Sequence, residues 1–524
     1  MRNNTNRVGG TVINWITIFV QIVISIFFIP FFLKVVGDKE YGIYSFSTSL
    51  IAWLDTLMVA VAAAYYKFLT REKKKYGDYG EARACGVFAK IFIAISIIVL
   101  LVGIIFDLLL FNGVIPLNEY SSTEKNQICI IILMSLLSTT VSCSLTAYKS
   151  YHFYKQKFVL IYSFSLAQII AQTVLSVIFL KNGFGVVAVA AAHFGTALTS
   201  TILLSVLSRV FLKEKVVLKS LSNEDKLYRR TLLKEILVFS IFIVMNTVVD
   251  TLNKTLDKTI LGFYNADSVA TYQLAYTFPA YLIAFTSIVS IVFDQKLNDA
   301  YYNGGGVSEM NEIFLKVSKI QTIVCFLIVG GFVACGKEFV FMWLDDARYQ
   351  VYIISCIMMV VYSITCSNRL AIMARRVQNL HIKASLVYLG IAVFNIAFSL
   401  VLVNVFPREY AIWCCLFGTV VTYLIGHWLI MQIYDQKVTK LSIGAFFIVF
   451  LKYLFIAATI DIVVIRCTQI LNINNLIASF FLKGCLFLII YVLVVSFIEK
   501  ELLFRFKQMF KNILKRSKKN DISN

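Results

Sequence analysis

The chain has 524 residues, 59% of them hydrophobic and only 15% charged, with a mean hydropathy of +0.80. Soluble domains carry about 45–50% apolar and about 25% charged residues, so a soluble enzyme or carrier is excluded. The net charge of +20 would suggest nucleic acid in a soluble protein. Here the basic residues sit in short loops between apolar runs, not in a stripe with interleaved aromatics, and no nucleic-acid partner is expected.

In chain order, apolar runs able to cross a bilayer core of about 30 Å are predicted at roughly 11–33, 41–66, 88–111, 127–148, 158–180, 185–208, 236–260, 270–293, 320–342, 351–373, 384–405, 410–434, 443–465 and 476–498. The fold class is an all-α integral membrane protein of about fourteen transmembrane helices. With the N-terminus inside, about 37 of the 49 Lys and Arg residues fall in cytoplasmic segments, which predicts both termini cytoplasmic. Arg2 and Arg7 precede an apolar run that continues to Leu33 with no small-residue cleavage site, so this start reads as an uncleaved first span. The tail after Glu499 sets Leu502, Leu503, Phe506, Met509, Phe510 and Ile513 at helical spacing among Lys and Arg, the pattern of a basic amphipathic helix on anionic lipid. No connection is long enough to be a folded domain; the largest runs from Arg209 to Glu235.

Eleven cysteines lie mostly inside apolar runs, Cys129, Cys143, Cys325, Cys356, Cys414 and Cys415 among them, and read as small buried hydrophobes. There is no C-x-x-C, and four histidines provide no zinc spacing, so neither a metal nor a cofactor is expected.

Phe194-Gly195-Thr196-Ala197-Leu198-Thr199 matches Phe417-Gly418-Thr419-Val420-Val421-Thr422 at an offset of about 223 residues. The same offset sets Gln172 on Asn395 and Ser176 on Ser399. In looser register, Val36-Gly37 with Tyr41 and Tyr44 echoes Leu261-Gly262 with Val269 and Tyr272. Common order and near-constant offset point to duplication of a six-helix unit, the copies related by an axis along the membrane normal with the substrate site at their interface. The predicted organisation is an N-lobe at 1–208, a cytoplasmic linker at 209–235, a C-lobe at 236–434, two further helices at 435–498 and the basic tail at 499–524. The two pseudo-symmetric six-helix lobes would surround a central cavity.

The seventh predicted span carries Asn246, Asp250, Asn253, Lys254, Asp257 and Lys258. At 100° per residue Asp250, Lys254 and Asp257 fall within about 60° of one another, with Asn246 and Lys258 on the flanks. An unpaired charge at the bilayer centre costs at least about 2.5–3.5 kcal/mol, so the stripe should face protein or water. Two readings follow: a ladder of intrahelical pairs that docks the helix, or the wall of a polar cavity in which Lys254 and Lys258 meet an anionic substrate. The long run of Asn and Thr favours the cavity.

Asp55 is an isolated acid in the second span, and Asn14 and Gln21 share a face of the first. Asp55 fits a proton or sodium site as well as it fits a hydrogen-bonded structural acid. His193 and His427 read as satisfied buried histidines. Lys452 and Lys483, in the last two spans with Asp461, can snorkel and are assigned no role.

The chain resembles the bacterial polysaccharide-biosynthesis flippases, which carry lipid-linked oligosaccharides and belong to a superfamily with the multidrug and toxic-compound extruders and the lipid II flippases. The resemblance rests on the basic N-terminus, the run Phe31 to Tyr44 with Gly37 and Gly42, the acid in span two, and Leu256-Asp257-Lys258-Thr259-Ile260-Leu261-Gly262. One departure is Leu57, where the family often shows glycine two residues after the acid. The resemblance implies alternating access, a substrate of the undecaprenyl-diphosphate-linked glycan type, and a bacterial cytoplasmic membrane location. It also implies cavity cations at Lys254 and Lys258, a coupling proton or Na+ at Asp55, Asp250 or Asp257, and contact with other polysaccharide-assembly proteins.

The expected function is therefore a flippase, not an enzyme, that moves such a lipid from the cytoplasmic to the outer leaflet for surface polysaccharide such as capsule or O-antigen. A cation-coupled multidrug exporter of the same fold is the first alternative; it predicts an acid-dominated cavity. A membrane-embedded polysaccharide polymerase or glycosyltransferase is less favoured, because no sizeable external loop exists. A structural scaffold would leave the polar stripe unexplained.

Overall fold

The computed structural model describes residues 2–500 except 220–221, 345–347, 379, 472 and 474. The expected amphipathic tail lies outside the described residues from position 501 onward. Among the described residues no strand occurs. The helices are α1 (Arg2–Phe111), α2 (Ser122–Ser144), α3 (Thr146–Tyr154), α4 (Phe158–Lys181), α5 (Gly185–Val210), α6 (Asn223–Gly262), α7 (Ala266–Ala300), α8 (Gly306–Leu344), α9 (Tyr349–Ser367), α10 (Leu370–Val377), α11 (His381–Val405), α12 (Ala411–Thr422), α13 (Met431–Lys437), α14 (Ile443–Ile470) and α15 (Leu476–Ile498). Eleven helices among the described residues are long and apolar enough to cross a membrane. The protein is an all-α membrane protein, and fourteen spans remains the sequence's own number.

The first three predicted spans form one helical run broken at two glycines. Gly37 (φ 83°) and Gly77 (φ 62°) hold backbone angles that a Cβ disfavours, and each turns the chain between two spans. Ends that must stop in water are capped: Ser121 and Glu124 form a reciprocal capping box at α2, and Ser222 accepts from the Asp225 amide at α6. Three predicted spans are interrupted, the tenth at Asn368–Arg369 between α9 and α10. The fourth breaks at Leu145 between α2 and α3. The twelfth passes through a π-helical stretch, Tyr423–Ile430, between α12 and α13.

The chain forms two compact units that do not follow chain order. One comprises Met1–Thr277 and His381–Gly426, the other Phe278–Leu380 and His427–Asn524. In the first, α1 packs on α2, α4 and α6, and α11 packs on both α6 and α12. In the second, α8 is the centre, packed on α9, α14 and α15. The duplicated six-helix lobes and their boundaries therefore stand as a proposal from the repeat, separate from this division by compactness.

Close approach in the first unit depends on missing side chains. A Cβ on Gly42 would lie 1.9 Å from the Ala266 carbonyl oxygen, and one on Gly262 would lie 1.9 Å from the Phe46 ring. The Gly262 carbonyl also accepts a 2.6 Å hydrogen bond from Tyr120. These contacts set the C-terminal end of α6 against the second stretch of α1.

At the other end of the same unit, the segment after α5 is tied down. The Val217 amide donates to the Ala82 carbonyl at 3.1 Å, and Arg229 donates to the Val217 and Lys219 carbonyls at 2.7 and 2.9 Å. Glu214 is buried beneath it and accepts from the Ser208 and Tyr65 hydroxyls. Burial pushes its carboxyl up to about 7, against those hydrogen bonds.

Two outcomes follow. Gly42→Val should overpack a backbone contact at about 1–3 kcal/mol, lowering the melting temperature of the purified protein, while Gly195→Ala, with nothing within 4 Å, should be neutral. A raised acid pKa means that the folded state holds the proton longer, so Glu214 lowers stability as pH rises from its unfolded value near 4.5 to about 7. The melting temperature of Glu214→Gln should decline less than wild type across that window; parallel curves would refute the assignment.

Candidate transport site

The polar stripe of α6 has an open part and a closed part. Between residues 243 and 262 the exposed side chains of α6 are Asp250 and Lys254. The exposed apolar residues of this helix, Leu227, Leu233, Leu237, Val238 and Ile241, stop before that stretch. In a membrane span such exposure is tolerated where the surface meets water, because hydrocarbon would leave both charges unsolvated. Asn246, on the flank, accepts 2.8 Å from the Ser385 hydroxyl of α11.

One turn further on, the stripe is closed by neighbouring helices. Asp257 is 6% exposed; its Oδ2 accepts from Tyr272 of α7 and, at 2.7 Å, from Thr419 of α12. Lys258 donates to Gln273 of α7 at 2.7 Å and lies 5.8 Å from the Tyr276 ring centroid. The partners of both residues thus come from other helices. Among the described residues no donor meets Asp257 Oδ1 or Asn253 Oδ1, both buried.

Beside this group, Asn395 Oδ1 of α11 accepts from Ser399 at 3.3 Å and from Thr422 at 3.2 Å. A Cβ on Gly418 would lie 2.2 Å from Ser399 Oγ, so the glycine allows α11 and α12 to meet. Asn395, Ser399, Gly418, Thr419 and Thr422 are the repeat residues of the second copy. The repeat thus marks a polar cluster, with Asp257 at its edge, that periodicity alone does not reveal.

Asp55 occupies a different place. It lines a cavity of about 520 Å³ together with Thr139, Lys149, Gln168, His193 and Tyr66, enclosed by α1 to α5. The Thr139 hydroxyl is its hydrogen-bonding neighbour. Lys149 escapes the sequence reading because it falls one residue beyond a predicted span end; the break at Leu145 and the short α3 bring it onto the cavity wall. His193 also lines this space rather than sitting in packed core. Asn14 is half-buried and Gln21 exposed on α1, and neither lines the cavity.

In the second unit Lys483 does not snorkel. Its ammonium donates to Glu338 of α8 at 2.5 Å in a pair whose side chains are 14% and 8% exposed. Asp461 is buried in α14. Arg375 of α10 grips Asp435 of α13 through two 2.7 Å hydrogen bonds. Glu338 carried no signal in the sequence beyond being an acid in an apolar run.

The fold has known parallels. The family model described as polysaccharide biosynthesis protein matches residues 8–293, over half of the chain. The chain belongs to that family. Among solved structures it is similar to the lipid II flippase MurJ in an inward closed conformation, with a TM-score of 0.67, 13% identity and coverage of 94% of this chain and 100% of that one. An inward-facing multidrug resistance transporter of the MATE family gives a TM-score of 0.60 and 12% identity over 82% of this chain and 99% of that one. A MATE transporter from Vibrio cholerae gives 0.56 and 16% over 85% and 99%. At these identities the likeness establishes a shared fold. A sequence search of curated proteins finds no match.

Single cysteines in a cysteine-free background should distinguish the two parts of the stripe. A charged, membrane-impermeant thiol reagent should modify Lys254→Cys more than about tenfold faster than Thr419→Cys, since reactivity follows solvent access. Equal rates would remove the division into open and closed parts.

Proposed function

We propose that this member of the polysaccharide biosynthesis family is a flippase for a lipid-linked glycan of the undecaprenyl-diphosphate type. It works by alternating access in the bacterial cytoplasmic membrane, both termini inside, and performs no catalysis. The observation that carries the reading is that Asp250 and Lys254 are the exposed side chains of α6 between residues 243 and 262, beyond its exposed apolar residues. A diphosphate headgroup needs fixed cations to replace its water while its tail stays in hydrocarbon. Lys254 is open to that role, Lys258 lies one turn on, and Lys149 offers a further cation beside Asp55.

The same site accommodates ion coupling. Asp257 is buried with one carboxylate oxygen that no described donor meets, amid hydroxyl and amide oxygens from α7, α11 and α12. Oxygen-rich surroundings of this kind suit a proton or Na+. This feature also favours the second reading, a cation-coupled exporter of soluble compounds.

Lys254→Ala with Lys258→Ala should reduce surface-glycan export by more than about tenfold while folded protein is still present in the membrane. Normal export would refute the cation role, and loss of drug resistance with intact glycan would select the exporter. Asp257→Asn should abolish dependence of transport on an imposed ion gradient in proteoliposomes, with substrate still bound.

A further inference from the structure

A second cationic pocket lies on α6, far from the polar stripe. It has a volume of about 240 Å³ and is lined by Val87 and Lys90 of α1 and by Lys226, Arg229, Arg230 and Leu233 of α6. The α6 residues recur at intervals of three and four, which sets them on one face of the helix. Arg230 and Lys254 are separated by 24 residues, about 36 Å of helix, so this pocket is not the stripe.

Its four cations divide by engagement. Arg229 is locked, its Nε on Asp225 at 2.8 Å and its terminal nitrogens on the Val217 and Lys219 carbonyls. Lys90, Lys226 and Arg230 are exposed, and none has an ion pair among the described residues. The nearby acids are already committed: Asp225 to Arg229 and to Arg83 at 3.5 Å, Glu72 to Arg83 at 2.9 Å, and Glu235 to Arg71 at 2.6 Å. Exposed Glu224 lies two residues before Lys226 on α6. Three positive charges therefore surround a pocket with one rigid arginine as its wall.

What lies beside the pocket identifies the ligand's other end. From Lys90 the exposed face of α1 continues through Ile93, Ile97 and Leu101, and from Arg230 the exposed face of α6 continues through Leu233, Leu237 and Ile241. These are intervals of three and four residues, so apolar ridges run away from the cations along both helices. A ligand that satisfies both surfaces carries a negative headgroup and apolar chains.

We propose that this pocket is a specific binding site for an anionic glycerophospholipid of the cytoplasmic leaflet. Its phosphodiester sits among Lys90, Lys226 and Arg230, and its acyl chains lie on the Ile93–Leu101 and Leu233–Ile241 ridges. The leaflet follows from the excess of Lys and Arg on that side of the chain; the site does not depend on which substrate is carried. The bound lipid fixes the entry of α6, the helix that carries the polar stripe further along, against α1.

The test uses the full-length protein in detergent, with phosphatidylglycerol and phosphatidylcholine compared by native mass spectrometry and by thermal shift. Wild type should retain phosphatidylglycerol preferentially and be stabilised by it. Combined Lys90→Gln, Lys226→Gln and Arg230→Gln should weaken that binding roughly a hundredfold. A control of equal charge change, Lys213→Gln with Lys215→Gln and Lys383→Gln, should leave it intact. If the triple variant does not fold, Arg230→Gln alone should show a partial loss that Arg230→Lys restores. Equal loss in the control, or no loss in the variants, would overturn the site. Competition by inorganic phosphate at millimolar concentration would show that the apolar ridges contribute nothing. Tighter binding of a polyprenyl diphosphate than of phosphatidylglycerol would reassign the pocket to the transported lipid's headgroup, and either result overturns the proposal.

Discussion

A charge inside a bilayer must reach water, an opposite charge or a dense set of hydrogen bonds, because hydrocarbon offers no solvation. The intramembrane charges described here meet that demand in different ways. Asp250 and Lys254 stay exposed on a stretch of α6 without exposed apolar neighbours. Asp257 is enclosed by hydroxyls. Glu338 and Lys483 neutralise each other as a buried pair in the second unit. The first solution implies a wet surface, the second a small polar pocket, the third a structural joint whose rupture would strand the remaining charge. The same chemistry in sequence thus divides into separate roles by what surrounds it.

The motifs that carry the family resemblance are mostly packing devices. Gly42 and Gly262 leave room for the Ala266 backbone and the Phe46 ring, and Tyr120 ties down the Gly262 carbonyl. They hold the end of α6, and so Asp257 and Lys258, in register with α1 and α7. The fold is shared with flippases and multidrug transporters at 12–16% identity, as expected where packing geometry and not residue identity defines a fold.

The repeat carries more than architecture. Its second copy supplies Asn395, Ser399, Thr419 and Thr422, and these converge where α11 meets α12 beside Asp257. In the first copy Thr196 turns its hydroxyl back onto its own helix, to the Ala192 carbonyl at 2.9 Å, and a Cβ on Gly195 would meet nothing within 4 Å. One duplicated pattern is used for a polar cluster in one place and for local helix bonding in the other. The difference lies in the partner: Thr419 reaches the Asp257 carboxylate of α6, whereas Thr196 stays on its own helix.

The membrane class, the helical content and most helix limits were legible in the sequence, because a span must satisfy its backbone internally and show apolar side chains over a fixed length. Such signals are local, and so was the charged face of the seventh span. Three things were not local and came only from the tertiary structure. The break at Leu145 brings Lys149 to the wall with Asp55 and His193. The approach of α7 and α12 to α6 makes Asp257 a buried acceptor while Lys254 stays open. The meeting of α1 and α6 gathers Lys90, Lys226 and Arg230 around one pocket. Periodicity tells which side of a helix is polar; which helix covers that side is decided by contacts between residues distant in the chain, and these leave no trace in any single stretch of sequence.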